Sequence, residues 1–499
     1  MATRPLRESA VTQSRPALLR SKMFWVGLLY LSEGFPLGFF YDIFPVHFRQ
    51  QGVELWEIGF MSLLGLAWTL KFLWAPAVDH YRHHRRWMVS VDLAMGMVLL
   101  AFAVLGEFGP WAWFAVGAFT LLSATNDIAI DGYTIELLEK RELGLANGIR
   151  IGMYRVGMLL AGFVLILSDW LGWAGTYLSA AGLFLLMAAA ISRAPRERTV
   201  IRGEGVRLGE ELAAIARQPW AAGAVWGLLA GALWLVDRKI DLAQDRPWLW
   251  PAAFAAGALW VAVATVRHRS PALDEVQERQ RLREGPMFGA LMEMLTRPGI
   301  LPVIAFILLF KLGDAAMGFM VKPFWVDAGF SATQIGLVSV NIGLVLSIAG
   351  GVAGGWITDR IGIFRGLWVL GLFQALSNLG YAGAAWLLPL GSVDGELTLL
   401  QQGVMYGASA VESFTGGLGT AAFLAFLMAI VDRRRAATEY ALLSSIFALS
   451  RSLAGWAGGF GAHDMGYANW FLVTFFLSFP AYLLLPWVRR MLGEGGREA

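Results

Sequence analysis

"RQQGVELWEIGFMSLLGL", residues 49–66, returns later in the chain as "VDAGFSATQIGLVSVNIGL" at 326–344. Gly52 falls over Gly329, and the Ile58–Gly59 pair over Ile335–Gly336. A second pair of stretches keeps the same order. "GMYRVGMLLAG" (152–162) aligns with "FALSRSLAGWAG" (447–458), which brings Arg155 over Arg451. The charged loops "VDHYRHHRR" (78–86) and "TDRIGIFR" (358–365) occupy one position of the repeat. The chain therefore reads as two similar halves in tandem.

Composition says what the halves are made of. Hydrophobic residues are 57% of the 499 and charged residues only 15%. Apolar runs of about 20 residues recur, the length of a helix that crosses roughly 30 Å of hydrocarbon. Helices are expected at 24–48, 57–78, 87–107, 110–139, 144–168 and 172–193, then at 299–325, 334–358, 364–389, 399–431, 437–462 and 467–489. The fold class is thus an all-α polytopic membrane protein. Two more apolar runs, 220–236 and 248–266, lie between the halves, followed by the charged "DEVQERQRLREGP" (274–286). Because these runs come as a pair, the second half keeps the orientation of the first, and about fourteen helices are expected. The expected boundaries are a tail at 1–23, a six-helix lobe at 24–193, a central segment at 194–298, a second lobe at 299–489 and a tail at 490–499.

Lys and Arg gather in alternate loops, whereas loops 106–111, 168–173, 389–398 and 462–466 contain neither. The positive-inside rule then puts both termini in the cytoplasm. The polar first 22 residues give no cleavable signal. The absence of cysteine excludes disulfides and thiolate metal sites, and neither metal nor cofactor is expected. No G-x-x-x-x-G-K-[ST] loop is present, which argues against an ATP-driven pump. Parallel halves with both ends inside match the two-lobe plan of secondary transporters, with a substrate path near the midplane. The expected partners are a small-molecule substrate, protons and the lipid bilayer, with no nucleic acid; a monomer is expected.

Ionisable side chains at membrane depth mark a pathway or a pair. The candidates are Glu33, Asp42, Lys71, Asp127, Asp131, Arg150, Arg155, Lys311, Asp314, Glu412 and Arg451. Counting the rise per residue puts Asp127 level with Arg155, and Asp131 level with Arg150 but shallower. Asp127 and Asp131 are four apart and share a helical face. Either these levels are static ion pairs, or the aspartates carry a proton while Arg155 holds an anionic substrate. Glu136 is expected at the interface, in solvent. Glu33 and Asp42 share a cavity only if Gly34, Pro36, Gly38 and Pro45 break the first helix; otherwise Asp42 lies near the outer surface. Lys311 and Asp314, three apart, can satisfy each other. Gln374, Asn378 and Tyr381 form a polar stripe suited to a sugar or peptide, or equally to interhelical hydrogen bonds.

Two resemblances follow. "GGWITDRIGIFR" (354–365) resembles the G-x-x-x-D-R-x-G-x-x-R signature of the major facilitator superfamily, carried by Gly355, Asp359, Arg360, Gly362 and Arg365. The first-half copy keeps Asp79 and the bases without the glycines. Both loops are expected at a cytoplasmic gate, with close packing at glycine and an acid and bases clamping helix ends. Beyond that signature, "EIGFMSLLGLAWTLKFLWAPAVD" (57–79), "NDIAIDGYTIELL" (126–138), "LLFKLGDAAMGFM" (308–320), "GGLGTAAFLAFLMAI" (416–430) and "TEYALLSSIFALSR" (438–451) resemble the AmpG-type muropeptide permeases. The resemblance implies proton-driven import of anhydro-muropeptides across a bacterial inner membrane. It also implies embedded charges at Lys71, Asp127, Asp131, Arg155, Lys311, Asp314 and Arg451. Glu33 and Asp42 depart from the pattern. The expected proton sites are Asp127, Asp131, Glu33, Asp314 and Glu412. The expected substrate contacts are Arg155, Lys71, Lys311, Arg451, Gln374, Asn378 and Tyr381. Two other readings stay open: a transporter of another bulky anionic metabolite of the acetyl-CoA kind, and a non-transporting assembly or sensor protein on the same fold.

Overall fold

The computed structural model describes residues 21–71, 74–75, 78, 83–105, 109–138, 143–195, 223, 226, 248–269, 299–388, 390, 397–431 and 436–495. Every regular element among them is helical. Eight of these helical runs are long and apolar enough to cross a membrane. The gate candidate Asp79, most of the expected 220–236 helix and the 274–286 stretch lie outside the described residues.

Two compact units divide the chain. The first joins Met1–Val200, Pro302–Val431 and Leu443–Ala499; the second joins Ile201–Leu301 and Asp432–Leu442. In the second, α8 (Leu249–Arg269) holds Trp226, whose indole N–H donates to Ala253 O at 3.0 Å.

The first unit opens with α1 (Lys22–Gly38), which passes through a wide turn at Phe39–Ile43 into α2 (Phe44–Gln50). Pro36 and Pro45 flank that turn. Each removes one ladder donor, so the loosened backbone follows from the sequence. Next come α3 (Leu55–Leu64), α4 (Leu66–Leu70), α5 (His84–Leu105), α6 (Pro110–Leu137) and α7 (Leu143–Ile191). The last is about twice the length one crossing requires, and it reverses at Gly172, where φ is +66°. α14 (Ala436–Leu477) behaves likewise at Gly466, φ +74°. Both turns sit at the expected breaks between runs.

The second half holds α9 (Ile300–Phe310), α10 (Leu312–Asp327), a wide turn at Ile335–Ile342, α11 (Gly343–Ile361), α12 (Ile363–Leu387) and α13 (Leu399–Ala429). The expected 299–325 helix breaks at Lys311. The expected 467–489 helix breaks into a 3-10 segment, Pro480–Leu484, before α15 (Leu485–Gly495).

The repeat that organises the sequence has a local cause. Gly52 and Gly329 both take left-handed φ, +78° and +85°, at the same turn of each half. Gly59 and Gly336 are then contact points: a Cβ on either would strike backbone, of Gly459 and of Gly162 respectively. α1 lies on α7 through Gly34, Gly38 and Gly157, where a Cβ would meet the opposing backbone or side chain. Small residues at such crossings let helices approach without a hydrophobic driving force, which lipid does not supply.

Candidate functional site

Two groups of charges occupy the interior. The first is built by α1, the end of α4, α6 and α7. Lys71 Nζ lies 3.4 Å from Asp127 Oδ2 and 3.9 Å from Asp131 Oδ2. Arg150 reaches Asp131 at 3.3 Å, and the Tyr30 hydroxyl donates to Asp131 at 2.8 Å. The same guanidinium sits 4.8 Å over the Tyr30 ring. Glu33 faces this group, and its Oε2 is buried without a hydrogen-bond partner.

The expected Arg150–Asp131 pair is present. The expected partner of Asp127 is not: Lys71 takes that place, and Arg155 pairs with no carboxylate among the described residues. A depth count along one helix fixes height but not azimuth, and Lys71 approaches from a different helix.

Behind this group lies a carboxyl with neutral partners only. Asp92 is fully buried; Ser32 Oγ donates to it at 3.3 Å and Asn126 Nδ2 at 3.0 Å. Ser32 and Asn126 directly precede Glu33 and Asp127 in the chain, so Asp92 holds the backbone that carries both acids.

The second group lines a cavity of about 390 Å³. Leu37, Tyr41, Asp42, Ser62 and Met158 come from the first half, and the other lining residues from the second. Its charged lining is Lys311, Lys322 and Arg451 against Asp42, Asp314 and Glu412. Lys311 donates to Asp314 at 3.2 Å, the local pair expected from spacing, and to Gly416 O at 3.4 Å. Lys322 donates to Ser339 at 2.6 Å and lies 3.4 Å from Asp42. The Arg451 guanidinium stands 5.3 Å over the Tyr41 ring.

Asp42 is thus a buried cavity residue rather than a surface one, because the wide turn at Phe39–Ile43 changes the face it presents. Glu33 and Asp42 belong to different groups, even though the helix loosens between them. Lys322 and Asp92 are functional candidates that sequence reading passed over. The signal was present: each is a lone charge inside an apolar run, "FMVKPF" and "SVDLAM".

Beyond the cavity the halves are tied at the end bearing the Lys/Arg-poor loops. Arg49 Nε donates to Asp327 at 2.6 Å, and the Tyr467 hydroxyl donates to the same carboxylate at 2.7 Å. Asp169 accepts from the Thr333 backbone N–H at 2.6 Å.

Several other expectations are corrected. Gln374, Asn378 and Tyr381 do not line the cavity. They are buried in the second half, where Asn378 donates to Thr474 at 3.2 Å and Tyr381 accepts from the Trp325 indole at 3.4 Å. Interhelical bonding claims Asn378 and Tyr381, while the buried Gln374 Oε1 has no hydrogen-bond partner. Glu136 is not simply solvated; it lies 3.6 Å from the buried His84 ring. At the signature loop, Gly362 is the turn, with φ +85°, but a Cβ on Gly355 would meet nothing, and Gly354 makes the close contact with Leu418. Asp359 pairs with no base among the described residues, and Arg360 lies 3.7 Å over Trp356 instead. Exposed at a helix end, both are free to bond water.

No protein-family model matches the chain. It is 27% identical to the anhydromuropeptide permease of Escherichia coli (strain K12), over 93% of this chain and 79% of that protein. The chain is thus similar to permeases of the AmpG type. A putative transporter AmpG 4 of Rickettsia felis is 22% identical across 94% of this chain and 97% of its own. Solved structures share the fold. The POT family transporter PepTSo superposes with a TM-score of 0.62 at 11% identity, covering 97% of this chain and 99% of that one. The nucleoside transporter NupG gives 0.58 at 12% identity, with 94% and 98% covered. The chain is a multi-pass membrane transporter for a small molecule, not an enzyme, and its structural neighbours are transporters as well.

Proposed function

We propose that the chain is a proton-coupled secondary transporter that imports anhydro-muropeptides across the inner membrane by alternating access. In this reading two six-helix lobes, 24–193 and 299–489, flank an extra hairpin. The protein is a monomer of about fourteen helices with both termini in the cytoplasm, the side favoured by its basic loops.

The observation that carries the reading is the cavity lined from both halves, with Lys311, Lys322 and Arg451 set against Asp42, Asp314 and Glu412. Balanced charge suits a glycopeptide that carries both carboxylates and an amine. A phosphate-rich cargo of the acetyl-CoA kind would favour an excess of cations, so that alternative is the weaker one. The retained interior charges likewise disfavour a non-transporting sensor. At about 390 Å³ the space is near the lower end of ligand pockets, which run from about 300 to 1,000 Å³. A disaccharide-peptide therefore requires the cavity to widen. Widening toward the outside means parting Arg49 from Asp327, and cargo contacts made only in the open state supply the differential affinity that shifts the equilibrium.

Proton coupling falls to the other group. Glu33, Asp127 and Asp131 face two cations, Lys71 and Arg150. One proton on the three carboxyls balances the charge, and its loss on the cytoplasmic side leaves an acid that must find another partner. Arg155, Gln374, Asn378 and Tyr381 have no part in this path.

Uptake into proteoliposomes tests the proposal. Labelled anhydro-muropeptide is expected to accumulate only when an inward proton gradient is imposed. Equal uptake without a gradient removes the coupling, and no uptake of this cargo removes the substrate assignment.

A further inference from the structure

A second recess opens away from the charged interior, where the ends of α11 and α12 meet the C-terminal helix α15. It measures about 1020 Å³, and its lining includes Phe364, Arg365, Trp368, Tyr482, Arg489 and Arg490. Its charged lining is three arginines and no acid. Among the described residues none of the three pairs with a carboxylate. Arg489 lies 5.8 Å from the Phe364 ring centre, and the Tyr482 hydroxyl donates to Trp368 O at 3.2 Å, fastening the two walls.

The lining is sorted by polarity. α12 begins at Ile363, so Arg365 stands in its first turn and Trp368 and Val369 about one turn deeper. α15 runs the other way: Leu485 precedes Arg489 by about 6 Å of helix rise. Both walls therefore carry apolar groups toward the bilayer and guanidiniums toward the loop end. Trp368 and Trp487 remain half exposed, as indoles do at a membrane interface.

We infer that this groove binds the headgroup of an anionic phospholipid, its phosphate held by Arg365, Arg489 and Arg490 and its upper acyl chains laid along Trp368 and Pro486. Guanidinium forks match phosphate oxygens, and basic pockets between transmembrane helices suit such headgroups. A free anion would use the arginines and leave the apolar wall in contact with water; a lipid uses both. The inference rests on the membrane placement of the chain and not on its cargo, so it is read without transport.

Purified full-length protein in mixed-lipid nanodiscs, analysed by native mass spectrometry, tests it. Phosphatidylglycerol is expected to be retained about tenfold or more over phosphatidylcholine, since each basic residue adds substantially to anionic-lipid attraction. The double variant Arg489→Gln/Arg490→Gln is expected to lose that preference, and Arg489→Lys/Arg490→Lys to keep most of it. Unchanged thermal unfolding of both variants shows that the fold survives. Retention of the preference in the Gln variant, or equal retention of the two lipids by the native protein, overturns the site. Displacement of the lipid by millimolar inorganic phosphate also overturns the lipid assignment, in favour of a soluble anion.

Discussion

The two halves share a repeat but place their charges differently. In the first, Lys71, Asp127, Asp131 and Arg150 satisfy one another off the cavity, with Glu33 left over. In the second, Lys311, Asp314, Glu412 and Arg451 line it. The repeated arginines show the divergence most plainly: Arg451 enters the cavity beside Tyr41, whereas Arg155, its counterpart, does not. The lesson is that a tandem duplication fixes backbone geometry, while the side chains of each copy are free to take separate tasks. We read the first-half group as the proton site and the second as the cargo site.

The largest expected effect separates those tasks. Asp127→Asn is expected to abolish gradient-driven accumulation while leaving counterflow exchange, because the amide cannot release a proton. Asp314→Asn is expected to weaken cargo binding and leave the coupling intact. Parallel uptake and counterflow assays check this, and the same phenotype for both variants breaks the comparison.

Next comes the tie between the halves. Arg49→Ala removes a charged hydrogen bond worth about 1.5–3 kcal/mol, so the outward-open population is expected to rise by about ten- to a hundredfold. The chain contains no cysteine, so a single Ser347→Cys in the cavity wall gives a clean readout. Its labelling by an impermeant reagent applied from outside should quicken by that factor, and an unchanged rate would remove the clamp from the cycle.

A smaller change is expected at the paired turns. Gly52→Ala and Gly329→Ala force a Cβ into left-handed φ at positions where no atom lies within 4 Å, so only backbone strain is added. Each should cost about 1 kcal/mol, and unequal losses in thermal unfolding would show that the turns are not equivalent. Smallest is Asp92→Asn. Its partners Ser32 and Asn126 are neutral and the shape is kept, so stability should change by less than about 1 kcal/mol. A loss of coupling as severe as that of Asp127→Asn would make Asp92 a proton carrier and redraw the first group.

Much of the architecture was legible in the chain. Apolar run length gave the membrane class, and Gly172 and Gly466 fell at expected breaks. The aligned Gly52 and Gly329 share one conformation, as the repeat implies. The Lys311–Asp314 and Arg150–Asp131 pairs followed from spacing and from depth. The polar stripe at 374–381 misled because a buried stripe on one helix face reads alike whether it meets water or another helix. Asp127 was paired with the wrong cation because depth is a single coordinate.

The sequence alone determined what depends on order along the chain: which runs cross, where glycine lets them turn, and that the pattern occurs twice. Only the tertiary structure decided which charges meet, since Lys71 and Asp127, Asp42 and Lys322, and Arg49 and Asp327 sit on separate elements. Helix periodicity relates residues only along a single helix. An ion pair between helices depends on their azimuth and on the width of one loosened turn, and packing sets both.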